Sequence, residues 1–528
     1  MFHFFEKRKV HARNFNTSAT FVRLETDPKN GCRHTRFPVA LYNAFASGPT
    51  PIARGAGSMP VCEILICSKY NHHSLVSYLK QKHNMKPLAV CICLNIWVLG
   101  SIFSQSEARL FSVEELKSDF NYLRQKLENK HPNLYAFTPK TAMDAMLESI
   151  FQQIKTPATA TDFYNLITVL NEKIRDGHTM FLPADAYSPN DSTCFFPFYV
   201  DVKGGQVYVS MNCSSDTTIA VGSQILSING MDAPTMLDFL MARQIRDGFN
   251  TAYPHWILDN YFKSYYAFSF GYPDSFALLL RDAHGKEASA HVPALTNDGI
   301  LAIRESRYPV NRLDSRSGGV ELKMDEGKKM ALLNLGTFDS RTLRKSKGRS
   351  FRRTLKSMFT TIKKQEAAYM ILDLRDNQGG DFRTSRLLLK YLIRRPTRHL
   401  KRGFESRRIS PKRNGFTGKL YVLINGGTFS AASITCSILK AEGRAIFVGE
   451  ETGGNRVAIF GASKLYSLPN TQLQAYISTK SYHVQHETND GRGIMPDIEV
   501  ITLPEDAATG ADRPMRFVLE LIEREQQR

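Results

Sequence analysis

The stretch Ile424–Ser433, INGGTFSAAS, decides how this chain is read. The preceding KLYVLIN is an apolar run of strand character, and the Ala- and Ser-rich sequence that follows suits a helix. Two glycines between them permit a sharp turn. Ser430 therefore falls where a strand hands over to a helix N-terminus. Such a turn lifts the hydroxyl clear of the backbone and aims the N–H of Ala431 at a bound carbonyl, the logic of a nucleophile elbow. The same residues also make an ordinary N-cap, a position Ser favours. Ser433, one turn on, reads as a packing or capping hydroxyl. The elbow reading needs partners from elsewhere in the chain.

Two other loops offer them. LDLRDNQGGD places Gly379 and Gly380 between a strand and a helix starting near Phe382, where bare backbone can approach a ligand and a helix N-terminus favours negative charge. Gly-Gly is also a common turn, so by itself this is only a plausible oxyanion hole. DGHT places His178 beside Gly177 at the end of a helical segment. A serine hydroxyl needs a base near neutral pH, and imidazole suits that task. His131, His255, His483 and His486 have less distinctive settings.

Around these loops the chain divides into regions. From about Leu301, strands alternate with helices (MALLNLGTF, AYMILDLR, KLYVLIN and AIFVGE are the strands), which indicates an α/β layer architecture over 301–505. A terminal helix is expected over 506–528. Residues 107–187 read as a small helical domain: Ser112 and Glu115 have capping-box spacing, and Leu116, Phe120, Leu123 and Leu127 share one helical face. Residues 193–297 turn to short strands. Their ILSING segment, bracketed by Gly222 and Asn229-Gly230 and followed by a helix, resembles a PDZ-like domain; by that resemblance Gly222, Ile225 and Leu226 would line a groove that takes peptide as an added strand.

Met85–Ala108, MKPLAVCICLNIWVLGSIFSQSEA, has the build of a signal peptide, assigned to 85–106: a Lys, an apolar run, and a small-x-small end at Ser104–Ser106. The run Leu88–Phe103 is shorter than the roughly 20 residues of a spanning helix, which leaves a membrane anchor as the rival reading. Residues 1–84 would put this signal far from the N-terminus, so they read as a non-native or mis-started extension, with translation expected from Met85. The mature protein is then exported to periplasm, cell envelope or exterior, without a membrane span.

The formal charge of +19 is no nucleic-acid signature. The first 84 residues alone carry 12 Lys+Arg against 4 Asp+Glu. Much of the rest lies in two runs, from Arg341 and Ile393, that read as solvated surface or as a site for anionic lipid or an acidic partner. No nucleic-acid motif accompanies them. Five of the eight cysteines precede Leu94, and no zinc-type spacing occurs after it, so neither metal nor cofactor is expected. Cys194 and Cys213 are either a disulfide pair or free thiols.

LDLRDNQGG, INGGTFSAAS, GRAIFVGEETGG and GRGIMPDIEV follow one another in the order found in a known family. From about Phe111 to Pro504 the chain resembles the C-terminal-processing (tail-specific) serine peptidases and their tricorn-protease-like relatives. The resemblance implies a crotonase-like ββα core, Ser430 as nucleophile, and Gly379, Gly380 and Ala431 as oxyanion donors. Ser/Lys members carry a lysine base where this chain has Asn455, 25 residues past the serine. Asn cannot accept the proton. The tricorn-like branch uses a histidine instead, which maps to His178, held by an acid near the final PD motif: Asp490, or Glu487 as the alternative. The implied activity is peptide-bond hydrolysis in unstructured or C-terminal segments. A degenerate relative that only binds peptides or hydrophobic ligands is the competing reading, and an acyl-CoA enzyme on the same core is a third.

Overall fold

A computed structural model describes residues 109–184, 186, 189–308, 319–401, 406–484, 489–503, 506 and 510–527. The N-terminal extension, the signal segment, His486 and Glu487 lie outside the described residues. Arg109 onward belongs to one compact unit.

Helix α1, Val113–Lys130, opens with the expected capping box: Ser112 Oγ accepts from the Glu115 N–H, and the Glu115 carboxylate accepts from the Ser112 N–H. Its face of Leu116, Phe120, Leu123 and Leu127 is buried. Helices α2, Lys140–Gln153, and α3, Ala160–Thr168, pack beside it around Met143, Leu147, Phe163 and Ile167. The chain then leaves through the DGHT loop into strand β1, Met180–Leu182.

The middle region is a mixed sheet and helix layer. Strands β2, Phe198–Lys203, β3, Gln206–Asn212, and β4, Gln224–Ile228, lead to helices α4, Ala233–Met241, and α5, Ala252–Phe270; β5, Ser275–Arg281, and β6, Glu287–Pro293, follow. The path through the sheet is β2-β3-β4-β5-β6. Its core of Val200, Val207, Ile225, Phe276 and Leu278 is continuous with that of α1–α3, so the first two regions share one apolar cluster.

The C-terminal region is built on a six-stranded sheet. Strands β7, Val320–Asp325, β8, Met330–Leu335, and β9, Tyr369–Asp373, run edge to centre, with β7 antiparallel and the rest parallel. Helix α6, Phe351–Lys364, precedes β9, and α7, Phe382–Leu392, follows it; then come β10, Lys419–Ile424, helix α8, Ala431–Ala441, and β11, Ile446–Gly449. β12, Gln474–Ile477, lies outside this sheet and pairs antiparallel with β1, while β13, Ile498–Glu499, closes the sheet beside β11. Alternation along β9 explains its unbroken apolar run: Met370 and Leu372 meet α6–α8, whereas Ile371 faces Val518 and Ile522 of the terminal helix α9, Arg513–Gln526. The first basic run coats the exposed faces of amphipathic helices, with Leu343, Phe351, Leu355 and Phe359 turned inward. Cys194 and Cys213 are both free thiols, which settles that alternative against a disulfide.

One expectation fails on topology. The ILSING strand is β4, and it is paired on both sides: Ile225 is opposite Val207 on β3 and Leu280 on β5. Ile225 is fully buried. A strand paired on both sides there cannot take on a peptide, so Ile225 does not line an open groove, and Leu226, half-buried, falls at the register shift beside it. Gly222 instead closes the turn into β4, donating its N–H to the Val209 carbonyl at 2.7 Å.

Candidate active site

Ser430 lies directly between β10 and α8, in a backbone conformation (φ 54°, ψ −122°) that L-residues avoid. Holding a serine there costs on the order of 1–3 kcal/mol, offset by the packing around it. Its side chain does not cap the helix, which disposes of the N-cap reading. Ser433 turns inward to donate to the Thr428 carbonyl at 2.8 Å, as expected of a packing hydroxyl.

His178 comes from the loop between α3 and β1, and its Nε2 lies 3.1 Å from Ser430 Oγ, across 252 positions of sequence. The Asp176 carboxylate accepts the His178 main-chain N–H at 2.8 Å, and Ser463 Oγ donates to its carbonyl at 2.7 Å. The imidazole stacks on Phe429, ring centres 4.7 Å apart. Gly177 admits this stack, because a Cβ there would come within 2.5 Å of the Phe429 ring. Burial pushes the imidazole down to about 4 against the opposing charge of Asp176, so it is neutral at physiological pH and able to accept a proton.

The oxyanion loop needs one correction. The Gly379 N–H is taken by Asn377 Oδ1 at 2.9 Å, so it is no free donor. Gly379 serves through closeness: at φ 85°, a Cβ would stand 2.7 Å from both Ala431 N and Ser430 Cβ. Any side chain would cover the first amide of α8, one of the helix N–H groups that has no partner within the helix. Gly380 forms a parallel bridge with Phe338 through its neighbours, the Phe338 N–H donating to the Gly379 carbonyl and the Asp381 N–H to the Phe338 carbonyl. Its own N–H therefore points away from Phe338.

Of the two expected acids, Asp490 is not at the histidine, and Glu487 lies outside the described residues. Asp490 is an exposed residue paired with Arg456 at 3.1 Å, its position fixed by that guanidinium and the Arg492 N–H. Among the described residues, the carboxylates facing His178 are Asp176 and Asp247, both buried. Asp176 Oδ1 is 3.9 Å from Nδ1, too long for a hydrogen bond. Nδ1 itself is buried without a hydrogen-bond partner among the described residues. Burial opposes ionisation of Asp176, but the hydrogen bond and charge of His131, 3.1 Å away, bring its carboxyl down to about 2. Burial and the charge of Asp176 push Asp247 up to about 7. Asp176, His178 and Asp247 each present a potential metal-ligating atom within 4.8 Å of the others. All four carboxylate oxygens already accept hydrogen bonds, from the His178, Gly177 and Asn455 amides and from His131 and Thr179.

Sequence reasoning passed over both acids. Asp176 is inside the DGHT motif itself, and the tetrapeptide IRDG that leads into it, Ile174–Gly177, occurs again at Ile245–Gly248 with Asp247 in the place of Asp176. The two turns pack together, the Gly248 N–H donating to the Arg175 carbonyl at 2.9 Å. Asn455 is fully buried, its Oδ1 accepting from the Val457 and Ala458 amides and its Nδ2 donating to Asn489. His131 supports Asp176, while His255 bonds its own helix at the Thr251 carbonyl.

A strained serine with a neutral imidazole at hydrogen-bond distance, beside the first amide of a helix, is the arrangement that serine peptidases use. Residues 329–500 match the family model Peptidase family S41. The chain is 27% identical over 260 residues to a carboxyl-terminal-processing protease of Picosynechococcus sp., covering 47% of this chain and 58% of that one. It thus spans little more than half of that relative's length. Among solved structures it is similar to mature CPAF (TM-score 0.54, 15% identity, 75% of this chain and 94% of that one). Mature CPAF complexed with lactacystin is similar too (TM-score 0.56, 15% identity, 79% and 98%). At these identities the structures speak for the fold.

Proposed function

We propose that the protein is a serine endopeptidase that hydrolyses peptide bonds in unstructured or C-terminal protein segments, with Ser430 as nucleophile and His178 as base. The observation that carries this is the 3.1 Å approach of His178 Nε2 to Ser430 Oγ at a strained strand-to-helix turn. His178, neutral, takes the hydroxyl proton as the oxygen attacks the peptide carbonyl. The Ala431 and Gly380 amides receive the oxyanion, His178 returns the proton to the leaving amine, and water then releases the acyl group. Asn455 takes no part in proton transfer.

The C-terminal sheet with its strand–helix repeats supports a crotonase-like reading of the core. The middle sheet is read as PDZ-like in position, but without peptide capture at β4. Export is read from the signal-like segment Met85–Ala108; among the described residues no helix is long and apolar enough to cross a membrane.

A fluorophosphonate probe should label wild type at Ser430, and wild type should cleave an unfolded-protein library. Ser430→Ala should do neither. A wild-type protein that binds such chains without labelling or cleavage would favour the binding-protein reading. Loss of activity in Asn455→Ala together with full activity in His178→Ala would overturn the choice of base.

A further inference from the structure

Asp247 is 3% exposed and sits in the turn that leaves α4. One carboxylate oxygen accepts the Gly177 N–H at 2.8 Å and the other accepts the Asn455 N–H at 3.2 Å. The first amide is next to His178. The second belongs to the Gly453–Asn455 loop, which lies so close to the elbow that a Cβ on Gly454 would stand 3.0 Å from Ser430 N. The carboxylate therefore braces the loop carrying the base to the loop packed on the nucleophile's backbone. Neighbouring contacts stitch the same segment down: the Phe249 N–H donates to the Gly491 carbonyl at 2.8 Å, and Asn250 Nδ2 donates to the Thr452 carbonyl at 2.8 Å.

Asp247 also belongs to the cluster around the buried Nδ1 of His178, which has no hydrogen-bond partner among the described residues. When His178 accepts the serine proton, its positive charge and its Nδ1–H face Asp176 and Asp247. We propose that Asp247 is a positioning residue for the reaction, holding the His178 loop against the Ser430 elbow and completing, with Asp176, the negative field for the imidazolium. The inference rests on the Ser430/His178 reading above and gives His178 an acid other than Asp490.

The groups facing Asp247 fix the pH dependence. The histidine loop presents Asp176 and His178, with His131 behind Asp176, and the opposite loop presents the Asn455 amide. With its carboxyl pushed up to about 7, Asp247 gains its charge across neutrality. The anion favours the imidazolium, so the rate should climb through that range as Asp247 ionises.

The test is the rate of fluorophosphonate labelling at Ser430 from pH 5 to 9, on the full chain, for wild type, Asp247→Asn and Asp247→Glu. Asp247→Asn keeps one accepting oxygen and should label at least about tenfold more slowly at pH 8, without the rise near neutrality. Asp247→Glu keeps the charge and should retain the rise even with the brace displaced. It is the variant to read if the amide form does not fold: a Glu protein with a flat profile counts against the proposal. Wild-type labelling with an Asp247→Asn profile of the same height and shape overturns the inference alone. Absence of wild-type labelling sinks the peptidase reading, and this inference with it.

Discussion

A methyl group at residue 379 has nowhere to go. It would meet Ser430 Cβ and Ala431 N at 2.7 Å, on a backbone at φ 85°. Gly379→Ala should therefore cost about 1–2 kcal/mol for the backbone conformation and a further amount for displacing the elbow, read by denaturant melts, and should lose about 100-fold or more in kcat/KM toward an unstructured peptide, because the methyl covers the Ala431 amide or pushes it aside. Asp247 makes a second prediction, in stability. Its folded carboxyl is pushed up to about 7, above the ordinary value of 3.8. Between those values the folded form holds a proton that the unfolded chain has shed, so this group's contribution falls as pH rises through the window. Asp247→Asn lacks that loss. Its melting temperature should rise relative to wild type between pH 4 and pH 8, checked by thermal melts at each pH, and a difference that does not change with pH would refute the raised carboxyl. Ser430 and His178 were legible because each stands in a short motif with its own geometry. Asp247 was not: its chemistry arises from burial beside Asp176, and the repeated IRDG was the only trace of it in the sequence.

Between the histidine and the oxyanion loop runs a column of rings. His178 stacks on Phe429, Phe429 on Tyr253 with centres 4.1 Å apart and planes within 3°, and Tyr253 on Trp256 at 5.9 Å. Trp256 Nε1 then donates to Asp376 Oδ1 at 2.8 Å, at the start of the loop carrying Gly379. Helix α5 of the middle region thus packs on both sides of the candidate site. Trp256→Phe keeps a ring but removes the donor to a carboxylate, and should cost about 1.5–3 kcal/mol, read by denaturant melts, together with slower labelling of Ser430. Helix starts such as the Ser112–Glu115 box could be read from local spacing. The central position of β4 could not, since whether a strand has a free edge depends on Leu280 arriving beside Ile225 from 55 residues downstream. Local sequence gives a strand its faces but not its neighbours.

The whole molecule is tied together by buried carboxylates. Asp119 of α1 is fully buried and accepts from the Asn470 and Thr471 amides, each at 2.8 Å, fastening the first helix to the turn before β12. At the other end, Arg375 is gripped by Asp373 and Asp512, both at 2.6 Å, which seats α9 on the sheet. Arg375→Leu would remove the guanidinium that neutralises the buried Asp373 carboxylate, and should destabilise the protein by about 3–5 kcal/mol, measured by urea denaturation with Ser430 labelling as a check on the surviving fold. The alternating strands and helices of the C-terminal region were plain in the sequence. The fusion of the helical and middle regions into one core was not, because it is made by contacts between faces rather than by any pattern along the chain.

His178 and Ser430 meet only after the first third of the described chain has folded onto the last. Under the proposed chemistry, a polypeptide still emerging from the ribosome holds its hydroxyl without a proton acceptor and cannot damage itself or its surroundings. Cutting power then arrives only with the completed tertiary structure, a built-in safeguard that no separate inhibitor has to provide.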